Sequence, residues 1–133
     1  MFKVGIIGAG WIAEKMAEAL APLEDYCIYA IASRSIGKAT EFVGRWNIPK
    51  AYGSYEDMVK DNDVDLVYIA TPHSHHFPHA MLALNAGKPV LVEKAFTANA
   101  AEAEELIETA RSKGIFITEA IWTRYMPLSH KIK

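Results

Sequence analysis

The fold is decided by one stretch, KVGIIGAGWIAEKMAEAL, at residues 3–20. Its first apolar residues, 4–7, are typical of a buried parallel strand, and GAGWIA at 8–13 follows directly as G-x-G-x-x-A. From Ile12 onward, apolar residues recur at helical spacing, with alanines between them that let a helix lie close to a sheet. The stretch therefore predicts a strand, a tight glycine turn and a helix.

A glycine turn at the start of a helix suits a diphosphate. The first amides of a helix have no partners within it and lie at the positive end of its dipole. Gly8 allows the tight bend, Gly10 leaves no Cβ where phosphates approach, and Ala13 keeps the helix against the strand. Glycine turns also join strands to helices for steric reasons alone, but this order of elements favours a nucleotide site that includes Trp11 and Ile12.

The rest of the chain alternates between predicted strands and helices. Further strands are predicted at residues 27–32, 51–52, 66–70, 90–92 and 115–118, and the helices between them begin after Ser35, after Ser54, at Phe77 and after Asn99. This alternation predicts an α/β protein with a doubly wound parallel sheet, a Rossmann fold in the strand order 3-2-1-4-5-6. Ligands are then expected over the carboxyl ends of the strands.

The bulk composition narrows the function classes. A chain of 133 residues with 51% hydrophobic and 23% charged residues is typical of one globular domain. A net charge of −2 without a basic tract argues against nucleic acid as a partner, and no apolar run approaches the length of a membrane span. A single cysteine, Cys27, cannot form an internal disulfide, which fits a reducing compartment, and we expect a cytoplasmic protein.

The residues after the second predicted strand indicate which nucleotide is bound. NAD-binding folds place a carboxylate there for the ribose hydroxyls, whereas this chain has Ser33, Arg34 and Ser35. Arg34 offers a permanent charge and several donors to a 2′-phosphate, so the sequence predicts NADP, with NAD as the less favoured cofactor. The alternative is a solvated arginine at a helix start.

Glu93 and Lys94 follow the fifth predicted strand, where a charged pair suggests a cleft. Lys94 is the candidate catalytic residue, because its ammonium can stabilise the alkoxide that develops during hydride transfer. Glu93 is expected to orient Lys94. The alternative is a surface ion pair of little energetic weight.

A cluster of histidines raises the question of a metal. His73, His75, His76 and His79 lie close together in the sequence, but no cysteine or nearby carboxylate joins them. Histidines at a helix start more often bond to backbone or ligand, so no metal is expected.

Several motifs resemble the nucleotide-binding domain of the Gfo/Idh/MocA oxidoreductase family. They are GIIGAGWIA at 5–13, ATPHSHHF at 70–77 and LNAGKPVLVEKAFT at 84–97, and the resemblance covers essentially the entire chain. EAIWTRYMP at 119–127 is similar to the branch with dimeric dihydrodiol dehydrogenases and NADP-dependent D-xylose dehydrogenases. His73 and Ala95 depart from the family pattern, which has Asn and Pro there.

The resemblance implies roles for individual residues. Lys94 is implied to be the catalytic lysine, with Thr71, Pro72, His76 and Glu93 lining the nicotinamide half of the cofactor and Trp122 and Arg124 flanking it. Together with the residues named above, the predicted cofactor-binding set is Gly8, Gly10, Trp11, Ile12, Ser33, Arg34, Thr71, Pro72, His76, Glu93, Lys94, Trp122 and Arg124.

The resemblance also implies a larger protein. Residues 1–120 are expected to form the NAD(P)-binding domain and residues 121–133 to begin the connection to a second domain that this chain lacks. The implied function is hydride transfer between nicotinamide and a carbohydrate or cyclic diol, with a homo-oligomer as the full-length form. A non-catalytic dinucleotide-binding or redox-sensing module is the alternative, and a methyltransferase is a weaker third candidate.

Overall fold

The computed structural model describes residues 1–132 and contains one parallel sheet of six strands. The strands are β1 (Phe2–Ile7), β2 (Tyr26–Ala32), β3 (Lys50–Tyr52), β4 (Leu66–Ile69), β5 (Val90–Glu93) and β6 (Ile117–Ala120). Their order is β3-β2-β1-β4-β5-β6, and every neighbouring pair is parallel. The predicted doubly wound sheet and its strand order are confirmed.

The helices are α1 (Trp11–Leu20), α2 (Ile36–Trp46), α3 (Tyr55–Val59), α4 (His76–Asn85), α5 (Ala100–Lys113), α6 (Trp122–Tyr125) and α7 (Pro127–Lys131), and a 3-10 turn at His73–His75 precedes α4. Five of the seven helices within residues 1–132, α1 to α5, pack on the two faces of the sheet. One core joins α1 and α2 to the sheet, and the other joins α3, α4 and α5 to it.

The alanines of α1 bring it close to the sheet. Ala13 and Ala17 are buried, whereas Ile12, Met16 and Leu20 are only partly buried beside them. Ala21 is exposed and caps the helix. A small side chain facing the sheet lets the helix axis approach it, so the turn at Gly10 lies directly over the end of β1.

Three of the four predicted helix starts are confirmed by their caps, and the fourth helix, α4, begins at His76, one residue before the predicted Phe77. The side chains of Ser35, Ser54 and Asn99 accept hydrogen bonds from the amides of Lys38, Asp57 and Glu102, respectively. These bonds satisfy amides that would otherwise have no partner in the first turn.

The last strand lies two residues later than the sequence predicts. Gly114 takes a left-handed conformation at φ +65°, and the amide of Ile115 donates to the carbonyl of Ala110. Ile115 therefore belongs to the end of α5, and pairing with β5 begins at Ile117, opposite Val90. The apolar side chain of Ile115 packs against the core next to this helix end, which explains why the pattern resembles a strand.

The sheet reverses its winding direction between β1 and β4. β1 is hydrogen-bonded to β2 on one side and to β4 on the other, so the connections that leave β1 and β4 diverge. This arrangement opens a crevice above the carboxyl ends of the two strands, where doubly wound sheets bind ligands.

Candidate nucleotide site

A cleft of about 580 Å³ occupies this crevice. Its walls come from the turn after β1, the loops after β4 and β5, and the start of α6. The lining residues are Gly10, Trp11, Ile12, Ala70, Thr71, Pro72, His73, Glu93, Lys94 and Trp122. Eight of the thirteen residues predicted for the cofactor site therefore lie together in one cleft.

The two glycines of the first turn have different surroundings. Gly8 has φ +107°, and a Cβ there would lie 2.9 Å from the carbonyl oxygen of Ala70. Gly10 has φ −96°, which any residue adopts, and a Cβ there would meet no atom within 4 Å. Gly8 thus lies beneath the cleft and allows the bend, whereas Gly10 borders the open space itself.

The loop after β4 is held from behind by His76. The His76 side chain is fully buried, with Nε2 at 2.8 Å from the carbonyl oxygen of Thr71 and Nδ1 at 2.7 Å from that of Ala95. His76 therefore ties two walls of the cleft together, and its buried ring is not among the lining residues. Its role at the cofactor stays a prediction.

Glu93 forms part of the cleft wall, but it does not pair with the Lys94 ammonium. Its side chain is buried; Oε1 accepts a 2.5 Å hydrogen bond from the Tyr68 hydroxyl and Oε2 accepts one of 3.1 Å from the Lys94 amide. Burial and this carboxylate raise the pKa of the Tyr68 hydroxyl, so the hydroxyl stays a donor. The prediction that Glu93 orients Lys94 is thus corrected to an effect on the backbone of Lys94.

Lys94 projects from a loop that is anchored on both sides. The Ala95 carbonyl is bonded to His76, and the Phe96 amide donates to Glu119 Oε2 at 2.7 Å. The peptide between Lys94 and Ala95 is cis. The Lys94 side chain is exposed at the cleft, and within residues 1–132 no carboxylate forms an ion pair with its ammonium. A fixed loop thus presents a cation whose donors face the cleft rather than a neighbouring carboxylate.

Of the two residues that follow β2, Ser33 is buried and Arg34 is exposed. Ser33 is 8% exposed, and its Oγ accepts from the Ser35 amide at 3.3 Å. Arg34 is exposed, and in the described part of the chain its guanidinium has no ion-pair partner. Ser33 therefore shapes the turn, and Arg34 is the group here that is available to an anion.

The last predicted site residues lie on α6. Trp122 borders the cleft and is 59% exposed, whereas Arg124 is exposed outside the cleft lining. The structure therefore brings Trp122 to the candidate site and leaves Arg124 to one side.

Three residues at the cleft or its supports have no site role predicted from the sequence. His73 lines the cleft, Glu119 anchors the Lys94 loop, and His79 Nδ1 lies 2.9 Å from Thr71 Oγ1. Glu119 could have been found from the sequence, because it is a carboxylate within a short apolar strand, as Glu93 is. The contact of His79 depends on the packing of α4 and has no comparable signal.

Among residues 1–132, no group of three or more His, Cys, Asp or Glu side chains is arranged to hold a metal ion. The four histidines instead bond to backbone and hydroxyl groups or face solvent. The same residues, 1–132, contain no helix of the length and apolarity needed to cross a bilayer.

The glycine turn, the crevice and the strand order together define a dinucleotide-binding Rossmann domain. The family described as "Oxidoreductase family, NAD-binding Rossmann fold" matches residues 2–120, and the chain belongs to this Gfo/Idh/MocA family. Family membership and the fold expected from the sequence motifs are thereby confirmed.

Relatives of known activity match nearly the whole chain. A trans-1,2-dihydrobenzene-1,2-diol dehydrogenase from Mus musculus is 45% identical over 97% of this chain, and a D-xylose 1-dehydrogenase (NADP(+)) from Hypocrea jecorina is 50% identical over 98%. The chain covers 39% and 37% of these two proteins, so it spans about two fifths of their length.

Solved structures show the same backbone. KijD10, a 3-ketoreductase from Actinomadura kijaniata in complex with NADP and TDP-benzene, superposes with a TM-score of 0.91 at 32% identity, covering 98% of this chain and 40% of that chain. An NAD binding oxidoreductase from Klebsiella pneumoniae superposes with a TM-score of 0.93 at 29% identity, covering 99% and 37% of the two chains.

Proposed function

We propose that this domain binds NADP and forms the cofactor half of an oxidoreductase that acts on a hydroxyl-bearing carbon of a carbohydrate or cyclic diol. The observation that carries the proposal is the cleft over β1 and β4, because an anchored lysine and a glycine turn without obstructing side chains meet there. The names of the two 45–50% identical relatives supply the substrate class.

The residues present fit a dinucleotide. The amides that begin α1 lie beside Gly10, where the open space leaves room for a diphosphate. Arg34, without a carboxylate beside it at the end of β2, favours a 2′-phosphate over a free ribose hydroxyl. NADP is also the cofactor in the names of the xylose dehydrogenase and of the KijD10 complex.

Lys94 is the residue that we propose for proton handling. A bound nicotinamide ring supplies or takes up a hydride. The Lys94 ammonium donates a hydrogen bond to the substrate oxygen, stabilises negative charge on it and holds the proton that this oxygen gains or loses. Glu93 and His76 keep the Lys94 loop in place through its backbone.

The proposal extends to the whole protein. Residues 1–120 form the nucleotide domain and residues 121–133 begin a connection to a second domain, which supplies the remaining substrate contacts in a homo-oligomeric full-length protein. The length of the relatives supports this division. The free thiol of Cys27 supports a reducing, cytoplasmic location.

Titration of the protein with NADPH and with NADH tests the proposed cofactor. Trp11 and Trp122 border the cleft, so their fluorescence reports occupancy. Arg34→Ala is expected to weaken NADPH binding about tenfold or more and to leave NADH binding unchanged, because only NADPH loses a charge-assisted contact.

Arg111→Ala is the matched control, since Arg111 lies in the last turn of α5, far from the carboxyl ends of the strands. An unchanged preference for NADPH in Arg34→Ala would contradict the role of Arg34. Binding of NADPH without turnover of pentoses or dihydrodiols is expected for this chain alone, and only the longer protein is expected to turn over. A longer protein that also binds without turnover would favour the module function instead.

A further inference from the structure

We infer that His79, which the proposed function does not use, is a positioning residue that fixes Thr71 at the floor of the nucleotide cleft. The inference rests on the proposed function, because it assigns to this cleft the binding of a dinucleotide. It concerns a contact within the protein, so part of it is measurable without any ligand.

Thr71 is held at its hydroxyl and at its carbonyl. Its hydroxyl lies 2.9 Å from Nδ1 of His79, and its carbonyl lies 2.8 Å from Nε2 of His76. Its methyl carbon Cγ2 faces the glycine turn, at 3.2 Å from the position that a Cβ on Gly8 would take. The side chain thus contacts α4 through oxygen and the turn after β1 through carbon.

This arrangement selects one of the three staggered side-chain conformations of threonine. A rotation about χ1 would move the methyl away from Gly8 and break the hydrogen bond to His79 together. Because Thr71 lines the cleft, such a rotation would also change the surface that a bound dinucleotide meets next to the glycine turn. The bond from His79 therefore stabilises the form of the cleft floor.

The His79 ring is itself well fixed. It is partly buried on α4, with the Tyr55 ring edge-on at a centroid distance of 4.7 Å and the His75 ring at 5.6 Å. Burial, together with the neighbouring His75 and His76, lowers the pKa of His79 to about 4, so the ring is neutral at pH 7. A neutral imidazole can use one nitrogen to donate to, or accept from, the hydroxyl of Thr71. Because it carries no charge, it is not repelled by the Arg34 guanidinium, whose charge also acts on this ring.

Substitutions of His79 that differ in where they place a polar atom test the inference. Asparagine puts an amide close to the position of Nδ1, glutamine puts it farther out, and phenylalanine keeps the ring but has no polar atom. In NADPH titrations, His79→Asn is expected to stay within about twofold of wild type, whereas His79→Gln and His79→Phe weaken binding about fivefold. Tyr55→Phe, which retains the ring contact, is the control and is expected to bind as wild type does.

A double-mutant cycle separates positioning from a general loss of packing. Thr71→Val keeps the shape of Thr71 but removes the hydroxyl, so His79→Phe should cost nothing further in that background. An equal cost of His79→Phe with threonine or valine at position 71 would overturn the inference, as would weak binding by His79→Asn.

The free protein gives an independent readout. NMR couplings that report χ1 of Thr71 should show one conformation in wild type and His79→Asn, and averaging in His79→Phe. A single conformation in all three proteins would overturn the positioning role. Failure of wild type to bind NADPH would overturn the proposed function instead, and the couplings would still decide whether His79 fixes Thr71.

Discussion

The two glycines of the first turn belong to one motif but are required for different reasons. Gly8 is required by the backbone, because its φ of +107° and the 2.9 Å approach to the Ala70 carbonyl both exclude a side chain. Gly10 has an ordinary φ and an empty neighbourhood, so its lack of a side chain matters only to a ligand.

The same substitution at both positions should therefore give opposite results. Gly8→Ser is expected to lower the free energy of unfolding by about 1–3 kcal/mol, through strain and the clash with Ala70. Gly10→Ser is expected to leave stability within about 1 kcal/mol of wild type, because serine is a good helix cap, but to weaken NADPH binding. Urea denaturation and fluorescence titration measure the two effects.

Each substitution is the control for the other. Unchanged NADPH affinity in Gly10→Ser would contradict the placement of the diphosphate beside this residue. Unchanged stability in Gly8→Ser would show that the turn relaxes to accept a side chain.

Glu93 shows which site features a sequence predicts and which it does not. A charged residue at the end of an apolar strand correctly indicated a cleft, since Glu93 lines one. Its hydrogen bond with Tyr68 was not predicted. Tyr68 pairs with Leu91 across β4 and β5, and Glu93 lies two residues after Leu91, on the same face as Tyr68. Register between strands decides this contact, and the order of residues along one chain does not contain it.

At the scale of elements, the loop after β5 depends on its two neighbours. α4 contributes His76 to the Ala95 carbonyl and β6 contributes Glu119 to the Phe96 amide. The strand positions predicted for β4 and β5 placed this loop at the correct edge of the sheet. The sequence did not predict that the loop is anchored from both sides, because both anchors come from elements that are remote along the chain.

Two side chains, His79 and Asp61, make the free energy of unfolding depend on pH, each over its own range. Burial and neighbouring histidines lower the pKa of His79 on α4 from about 6.5 to about 4. Burial alone would raise the pKa of Asp61, which follows α3, but the hydrogen bonds from Lys50 and Tyr52 outweigh it and lower the pKa to about 2. In both cases the unfolded chain binds a proton at a higher pH than the folded chain does.

The free energy of unfolding should therefore fall as the pH is lowered from about 6.5 to 4, because of His79, and fall further from about 4 to 2, because of Asp61. His79→Phe is expected to flatten the first window only, and Asp61→Asn the second only. Urea denaturation at a series of pH values measures both slopes. A first window that is equally steep in His79→Phe would assign it to other groups.

At the scale of the whole molecule, one part of the sheet is uncovered. α1 and α2 cover β1 to β3 on their face, but β4, β5 and β6 on the same face border an apolar groove of about 480 Å³. The groove lies between Met16 on α1, Phe116 before β6 and Tyr125 on α6, and Phe116 is 61% exposed.

This apolar groove should make the chain self-associate. Exposed apolar surface of this kind is covered in stable proteins, and a second copy is the partner that a purified sample offers. Sedimentation velocity over a range of concentrations is expected to show oligomers whose fraction falls in Phe116→Glu. Leu23→Glu is the control, because Leu23 is also exposed but lies outside the groove. A wild-type protein that is monomeric at every concentration would contradict the prediction.

The fold was predictable at this scale because each crossover has a strong local pattern. Six strands alternate with helices, three of which are capped by Ser35, Ser54 and Asn99, and parallel sheets admit few orders for such a chain. Packing at the end of a helix has no such pattern. The apolar Ile115 was therefore predicted as the start of β6, which in the structure begins at Ile117.

Three side chains, Ile12, Glu93 and Trp122, border the nucleotide cleft and the apolar groove at once. A ligand that moves a shared side chain in one cavity also alters the other cavity. Any occupant of the groove that displaces the indole of Trp122 or the carboxylate of Glu93 changes the dissociation constant of the nucleotide. The nucleotide then changes the affinity of that occupant by the same factor. A partner that fills the apolar groove and moves a shared side chain would thus also change the affinity of the domain for its cofactor.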